Sequence, residues 1–146
     1  MVIKQLSVFI ENREGRLEKV TETLAKQRIN IVSLSLADTT EYGVLRLIVS
    51  DPMKGKQVLK EAEFSAMLTD VIAIKLPPQV GKLQGVLNTI VAADLSIEYM
   101  YTLATAADAS IVLKLSNTEK GIRILKEHGY ELLEAKEAYA MNCDMF

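Results

Sequence analysis

An α+β fold built from two similar modules is what this sequence predicts, and three observations predict it. The first is an internal repeat. Gly15, in Glu11-Asn12-Arg13-Glu14-Gly15-Arg16-Leu17, returns 66 positions later as Gly81, in Pro77-Pro78-Gln79-Val80-Gly81-Lys82-Leu83. The same offset carries Leu17 onto Leu83, Val20 onto Val86, Thr23 onto Thr89, Ile31 onto Ile97, Leu47 onto Leu113, Lys54 onto Lys120 and Lys60 onto Lys126, with no insertion. A period of that length, present twice in 146 residues, is too long for a solenoid unit and suits a small domain. The second observation is that short β-branched runs alternate with helical spacing in the same order in both halves. The third is composition: 49% hydrophobic with 25% charged residues describes a soluble globular chain rather than a disordered one.

The elements follow in order. Residues 3 to 10 are rich in apolar and β-branched types and stop at the polar turn Glu11 to Glu14, which reads as a strand and a loop. From Gly15, Leu17, Val20 and Leu24 recur at helical spacing with Glu18, Lys19, Glu22 and Lys26 between them, an amphipathic helix with a solvated charged face. Asn30 ends it. Ile31 to Ala37 and Val44 to Ser50 read as strands, and Asp51-Pro52 opens a second helix, proline being tolerated where its missing N–H is not needed. In the second copy, strand 71 to 76 leads into the Gly81 loop, a helix with Leu83, Val86, Leu87 and Ile90, strands near 96 to 104 and 109 to 116, and a helix from Thr118 to Glu127.

That order, βαββα closed by another strand, suits an antiparallel four-stranded sheet with both helices on one face, the ferredoxin-like plait. The prediction is therefore two ferredoxin-like βαββαβ modules side by side, residues 1–69 and 70–146. Each is small enough for its core to be marginal alone. The strand count leaves a puzzle. The offset carries 5–10 onto 71–76 and again onto 137–142, giving seven clear strands where two modules need eight. Either Ser65 to Leu68 forms a short strand of its own, or strand 71–76 is shared and the tail strand closes another module, by exchange within or between chains.

In each copy a glycine ends a strand-to-helix loop, leaving the first helical N–H groups without internal partners beside the positive end of the helix dipole. Such donors favour an anion such as a carboxylate, and glycine permits both the tight turn and a close backbone approach. Strand-glycine-helix turns are also common purely as structure; two in register strengthen the functional reading.

An apolar strand, a short polar loop, Gly-x-Leu, a helix with Val and Leu at core spacing, then Asn-Ile-Val or Ser-Ile-Glu entering the next strand: this pattern resembles the ACT domain, twice over nearly the whole chain. The resemblance implies a stand-alone tandem ACT protein that binds a small molecule, usually an amino acid, where two modules lie edge to edge. Carried over residue by residue, it implies one site of Asn12, Arg13, Glu14, Gly15, Arg16 and Leu17 facing Glu98, Tyr99 and Tyr101. It implies a second of Val80, Gly81, Lys82 and Leu83 facing Asn30, Ile31 and Ser33. The proline often found before the family's glycine is replaced by Glu14 and Val80, and Asn12 aligns with Pro78, which makes the Gly81 site the weaker of the two.

Other classes find less support. Seventeen Lys and Arg against nineteen Asp and Glu leave a net charge of -2, with no basic stripe for nucleic acid. No apolar run approaches a membrane span, no targeting segment is evident, and the single Cys143 fits a reducing cytoplasm. His128 and Cys143 stand alone of their kinds, there is no Cys-x-x-Cys, His-x-x-x-His, phosphate loop or dinucleotide fingerprint, and His128 falls at a helix end. The reading is thus a non-enzymatic sensor with no cofactor or metal, an amino-acid ligand, a partner enzyme and a homodimer as its associations. Its rival is a ligand-free interaction module docking through an exposed sheet edge.

Overall fold

The computed structural model describes residues 1–38, 41–104 and 109–141. Along the chain it has β1 (Ile3–Glu11), α1 (Arg16–Lys26), β2 (Ile31–Asp38), β3 (Tyr42–Val49), α2 (Pro52–Glu61), β4 (Ser65–Lys75), α3 (Lys82–Ala92), β5 (Ile97–Ala104), β6 (Ala109–Leu115), α4 (Thr118–Glu127) and α5 (Ala135–Ala140). Two compact units result: Lys4–Thr69 with the chain from Tyr139, and Met1–Ile3 with Asp70–Ala138.

In the Lys4–Thr69 unit, β3 pairs antiparallel with β1 (Leu6↔Leu47, Val8↔Leu45) and with β2 (Leu34↔Leu47, Leu36↔Leu45). The strand order is β2-β3-β1-β4, the ferredoxin-like order, and Ser7 Oγ lies 2.9 Å from Thr69 Oγ1. Alternation sends Leu6, Val8 and Ile10 of β1 and Leu45, Leu47 and Val49 of β3 to one face, where Val20 and Leu24 of α1 and Leu59 of α2 cover them. Residues three or four apart on a helix therefore meet residues two apart on a strand, which is why both periodicities were visible in the sequence. Gly55 lets α2 come close: a Cβ there would stand 3.1 Å from Leu6 Cδ2. The start of α2 is closed by Asp51, whose Oδ1 accepts from Lys54 N–H at 3.1 Å, an N-cap of about 1 kcal/mol.

The Asp70–Ala138 unit repeats the plan. Ile72, Ile74, Leu113 and Leu115 meet Val86, Ile90 and Leu125, and Asn117 caps α4 as Asp51 caps α2. Even a small tether recurs: Asn30 N–H donates to Ser50 Oγ at 2.9 Å, and Ser96 N–H to Ser116 Oγ at 3.0 Å.

The strand puzzle resolves in an unexpected way. Ser65 to Lys75 is a single strand of 11 residues whose first part belongs to one unit and whose second part belongs to the other. The fourth strand position of the Asp70–Ala138 unit is taken by residues 131 to 133: Leu132 bridges Ile74, Lys75 N–H donates to Glu131 O, and Leu133 N–H donates to Ala73 O, both at 2.9 Å. The expected tail strand over 137–142 is not formed by residues 137–140, which belong to α5, while Asn142 lies outside the described residues. Ala135, Lys136, Glu137 and Ala138 are good helix formers, and Ala138 N–H already bonds Glu134 O at 3.0 Å. The place that a tail strand would have filled is occupied by the 131–133 segment. Tyr139 belongs with the Lys4–Thr69 unit, and its hydroxyl accepts from Lys4 N–H at 2.8 Å.

Candidate functional site

The Gly15 turn is built by backbone hydrogen bonds. Asn12 N–H donates to Glu41 O at 3.2 Å, fastening the turn to the β2–β3 connection, and Arg13 N–H donates to Glu11 O at 2.8 Å. Gly15 has φ +79°, the left-handed region, with nothing within 4 Å of where a Cβ would be. The glycine is thus required by its backbone angle and not by crowding. The helix ladder begins with Lys19 N–H donating to Gly15 O at 3.0 Å, and no side chain caps the start. Among the described residues, the N–H groups of Leu17 and Glu18 meet no acceptor.

The charged side chains of this turn are mostly spent within it. Arg13 Nε pairs with Glu11 at 2.7 Å. Arg16 lies over the ring of Phe64, 4.4 Å from its centroid, a cation–π contact worth about 0.5–2 kcal/mol, and its Nε is sealed from solvent without an acceptor. Glu14 is exposed, and Leu17 is 38% exposed.

The Gly81 turn has the same construction. Gly81 has φ +89°, Lys82 N–H donates to Gln79 O at 3.3 Å, and Gly85 N–H donates to Gly81 O at 3.0 Å. The Leu83 and Gln84 N–H groups likewise meet no acceptor among the described residues. Val80, Lys82 and Leu83 are exposed.

The terminal strands β2 and β5 carry the other predicted contacts. Register puts Ser33 and Ser35, opposite Ile48 and Arg46, on the face away from the helices; Tyr99 and Tyr101, opposite Lys114 and Val112, stand likewise. The helix side of these strands bears Leu34, Leu36 and Met100, which the sequence reading passed over. Leu34 and Leu36 are 46% and 47% exposed. Their signal was parity: they share a register row with Leu47 and Leu45, which the core claims. Glu98 pairs with Lys114 at 3.5 Å.

Asn30 and Ile31 line an open groove of about 550 Å³ with Glu18, Thr21, Glu22, Ala25, Arg28 and Ile29. Within this unit that groove runs along one side of α1 from Glu18 to Ala25, and Asn30 and Ile31 close it beyond the C-terminal end of the helix. The structure therefore gathers Asn12 to Leu17 at one end and sets Asn30 to Ser33 at the other. In the groove, Glu22 has its carboxyl held below the ordinary range, first by the hydrogen bond from Lys26 and then by the Lys19 charge. Elsewhere, Lys75 is raised above its ordinary value by Glu131 and Glu137, at 3.0 and 3.3 Å. His128 ends α4 with Nδ1 2.8 Å from Ile124 O, and Cys143 lies outside the described residues. Among the described residues no three His, Cys, Asp or Glu side chains gather as a metal ion requires, and no helix is long and apolar enough to cross a membrane.

A family profile described as "ACT domain pair" matches residues 1–142. No curated protein matches. Among solved structures, protein BT0572 from Bacteroides thetaiotaomicron is 45% identical, with a TM-score of 0.91 over 97% of this chain and 98% of that one. The ligand-free regulatory subunit of aspartate kinase from Thermus thermophilus is 15% identical, with a TM-score of 0.62 over 88% of this chain and 94% of that one. Aspartokinase III from E. coli, in complex with lysine and aspartate, is 14% identical, with a TM-score of 0.51 over 87% of this chain and 30% of that one. At such identities the latter two speak for the fold alone.

Proposed function

This chain belongs to the ACT domain pair family, and we propose that it is a regulatory sensor that binds an amino acid or a similar small zwitterion at the border between two ACT modules. Occupancy is passed to a partner enzyme; the chain itself catalyses nothing. The observation that carries this reading is the repeated turn: two helix starts, 66 residues apart, each with a glycine at positive φ and a pair of N–H groups that meet no acceptor among the described residues. Such a pair, with the helix dipole behind it, suits an α-carboxylate.

The first site comprises Asn12, Arg13, Glu14, Gly15, Arg16 and Leu17, with Glu98, Tyr99 and Tyr101 from the facing module. The second comprises Val80, Gly81, Lys82 and Leu83 with Asn30, Ile31 and Ser33. Arg13 pairs with Glu11 and Arg16 lies over Phe64, and the free backbone amides of the turn are the donors aimed at the carboxylate. A ligand bridging two modules favours one arrangement of them only by the difference in its affinity for the alternatives, and that difference is the whole switching energy. The aspartate kinase regulatory subunit supports the idea that such a fold serves as a separate subunit.

A thermal-shift screen of the twenty amino acids tests the proposal. A ligand at one hundred times its Kd adds about 2.7 kcal/mol to the folded state and raises the melting temperature. If none of them does so at millimolar concentration, the sensor reading fails. The exposed Leu34 and Leu36 on a terminal strand then favour the second reading, a ligand-free module docking on another protein or on a second copy.

A further inference from the structure

In the Lys4–Thr69 unit, the face of the sheet turned away from α1 and α2 is closed at one end and open at the other. Gln5, Ser7 and Ile48 are buried there, whereas Phe9, Tyr42 and Met67 remain 46%, 54% and 50% exposed. Register brings these three together. Phe9 stands opposite Val44, and Tyr42, two residues back along β3, stands diagonally beside it. The crossover through α2 leaves β4 parallel to β3 and hence antiparallel to β1. Met67, two residues before Thr69, therefore faces Phe9, two residues after Ser7, which meets Thr69. With half-buried Val44 and Ala37 beside them, they make an apolar patch of about 300 Å². That is enough to call for a cover and well short of the ~800 Å² per partner of a standard dimer.

We propose that the cover is this chain's own segment 142–146, which lies outside the described residues, with Met145 and Phe146 seated on Phe9, Tyr42 and Met67. The repeat supports it first. The 66-residue offset carries Phe9 onto Lys75 and Met67 onto Leu133, and in the Asp70–Ala138 unit both positions are covered. Leu133 is 1% exposed, and Lys75 pairs with Glu131 and with Glu137 of α5. There the chain following α4 meets a lysine with carboxylates; an apolar patch calls for apolar groups. The path supports it second. From Tyr139 the chain belongs with the Lys4–Thr69 unit, where the Tyr139 hydroxyl meets Lys4 N–H near the start of β1. Phe9 lies five residues further along β1, about 17 Å, and five extended residues reach about as far. The chemistry supports it third. Asn-Cys-Asp-Met-Phe carries its two large apolar side chains at the end of that reach, and a thioether against aromatic rings is a favourable contact. A segment seated in this way keeps the patch from other proteins until it is withdrawn.

The single cysteine of the chain, Cys143, lies within the segment and makes the test direct. In the full-length protein, Met67→Cys places a thiol in the patch, and Lys60→Cys, exposed on α2 across the sheet, is the control. Under mild oxidation followed by peptide mapping, Cys143 is expected to bridge position 67 within one chain at least about tenfold faster than position 60, because docking raises the local thiol concentration. Adding Phe146→Ser or Phe9→Ser to the Met67→Cys variant is expected to remove most of that advantage. Circular dichroism checks folding, and Tyr42→Cys replaces Met67→Cys if the latter does not fold. Equal rates at positions 67 and 60, or an advantage untouched by Phe146→Ser, overturn the proposal. A bridge formed only between two chains also overturns it and makes a second copy the occupant.

Discussion

Replacing Gly15 by alanine isolates what the glycine turn contributes. A Cβ at Gly15 meets nothing within 4 Å, so the substitution adds no clash, and its cost is that of holding an L-residue at φ +79°. That cost is about 1–2 kcal/mol, which for a protein of this size lowers the melting temperature by about 3–8 °C. Asparagine tolerates the left-handed region better, so Gly15→Asn should lose about half as much. Gly121→Ala provides the opposite control: its backbone is ordinary, but the added Cβ runs into Leu115 Cδ1 and the loss is one of packing. Differential scanning calorimetry of the three variants reads the series. If Gly15→Ala melts within about 1 °C of the parent, or if asparagine proves no better than alanine, the backbone argument for this turn is refuted. The same substitution should also weaken any ligand, because strain at Gly15 re-aims the Leu17 and Glu18 amides.

Removing either helix cap, by Asp51→Ala or Asn117→Ala, is expected to cost about 1 kcal/mol in urea denaturation with an unchanged m-value. Leu24→Ala, at a fully buried position under α1, should cost about 2–5 kcal/mol in the same assay. Glu22 has a folded pKa below the ordinary glutamate value of 4.5, so its contribution is complete above pH 4.5 and is lost as pH falls through the folded value. Melting curves of Glu22→Gln should therefore lie below the parent near about pH 6 and converge with it toward about pH 3. Lys75 is shifted the other way, above 10.5: its ion pairs with Glu131 and Glu137 contribute fully below that pH and are lost as the lysine deprotonates above it. Lys75→Met should accordingly differ from the parent at neutral pH and lose that difference in strong alkali, measured by near-ultraviolet dichroism.

Much of the fold was legible because the signals are local. Val20 and Leu24 at helical spacing, the alternation of Leu6, Val8 and Ile10, and Asp51-Pro52 at a helix start each report a backbone choice made within a few residues. The 66-residue offset then doubled every such signal, down to the Ser50 and Ser116 tethers. The glycine turns were visible for the same reason, since a left-handed φ is a demand that one residue type meets cheaply. What could not be read was local ambiguity. The 137–142 stretch carries Ala, Tyr and Met that alternate well enough for a strand, yet residues 137–140 lie in α5 and the strand position beside residues 73–75 is held by residues 131–133.

The side-chain committals were equally out of reach. That Arg16 would turn to Phe64, 48 positions away in the chain, depends on α2 delivering the ring there. Which parity of β2 faces the helices depends on its register against β3, and a slip of one residue would exchange Leu34 and Leu36 for Ser33 and Ser35. The linear order of residues by itself determined the repeat, the order of helices and strands and the two helix starts, because these arise from short-range sterics and periodicity. Tertiary pairing alone decided that one long strand belongs to both units, that Ala135–Ala140 is helical and that leucines rather than serines or tyrosines stand on the helix side, because register and burial are properties of neighbours far apart in the chain.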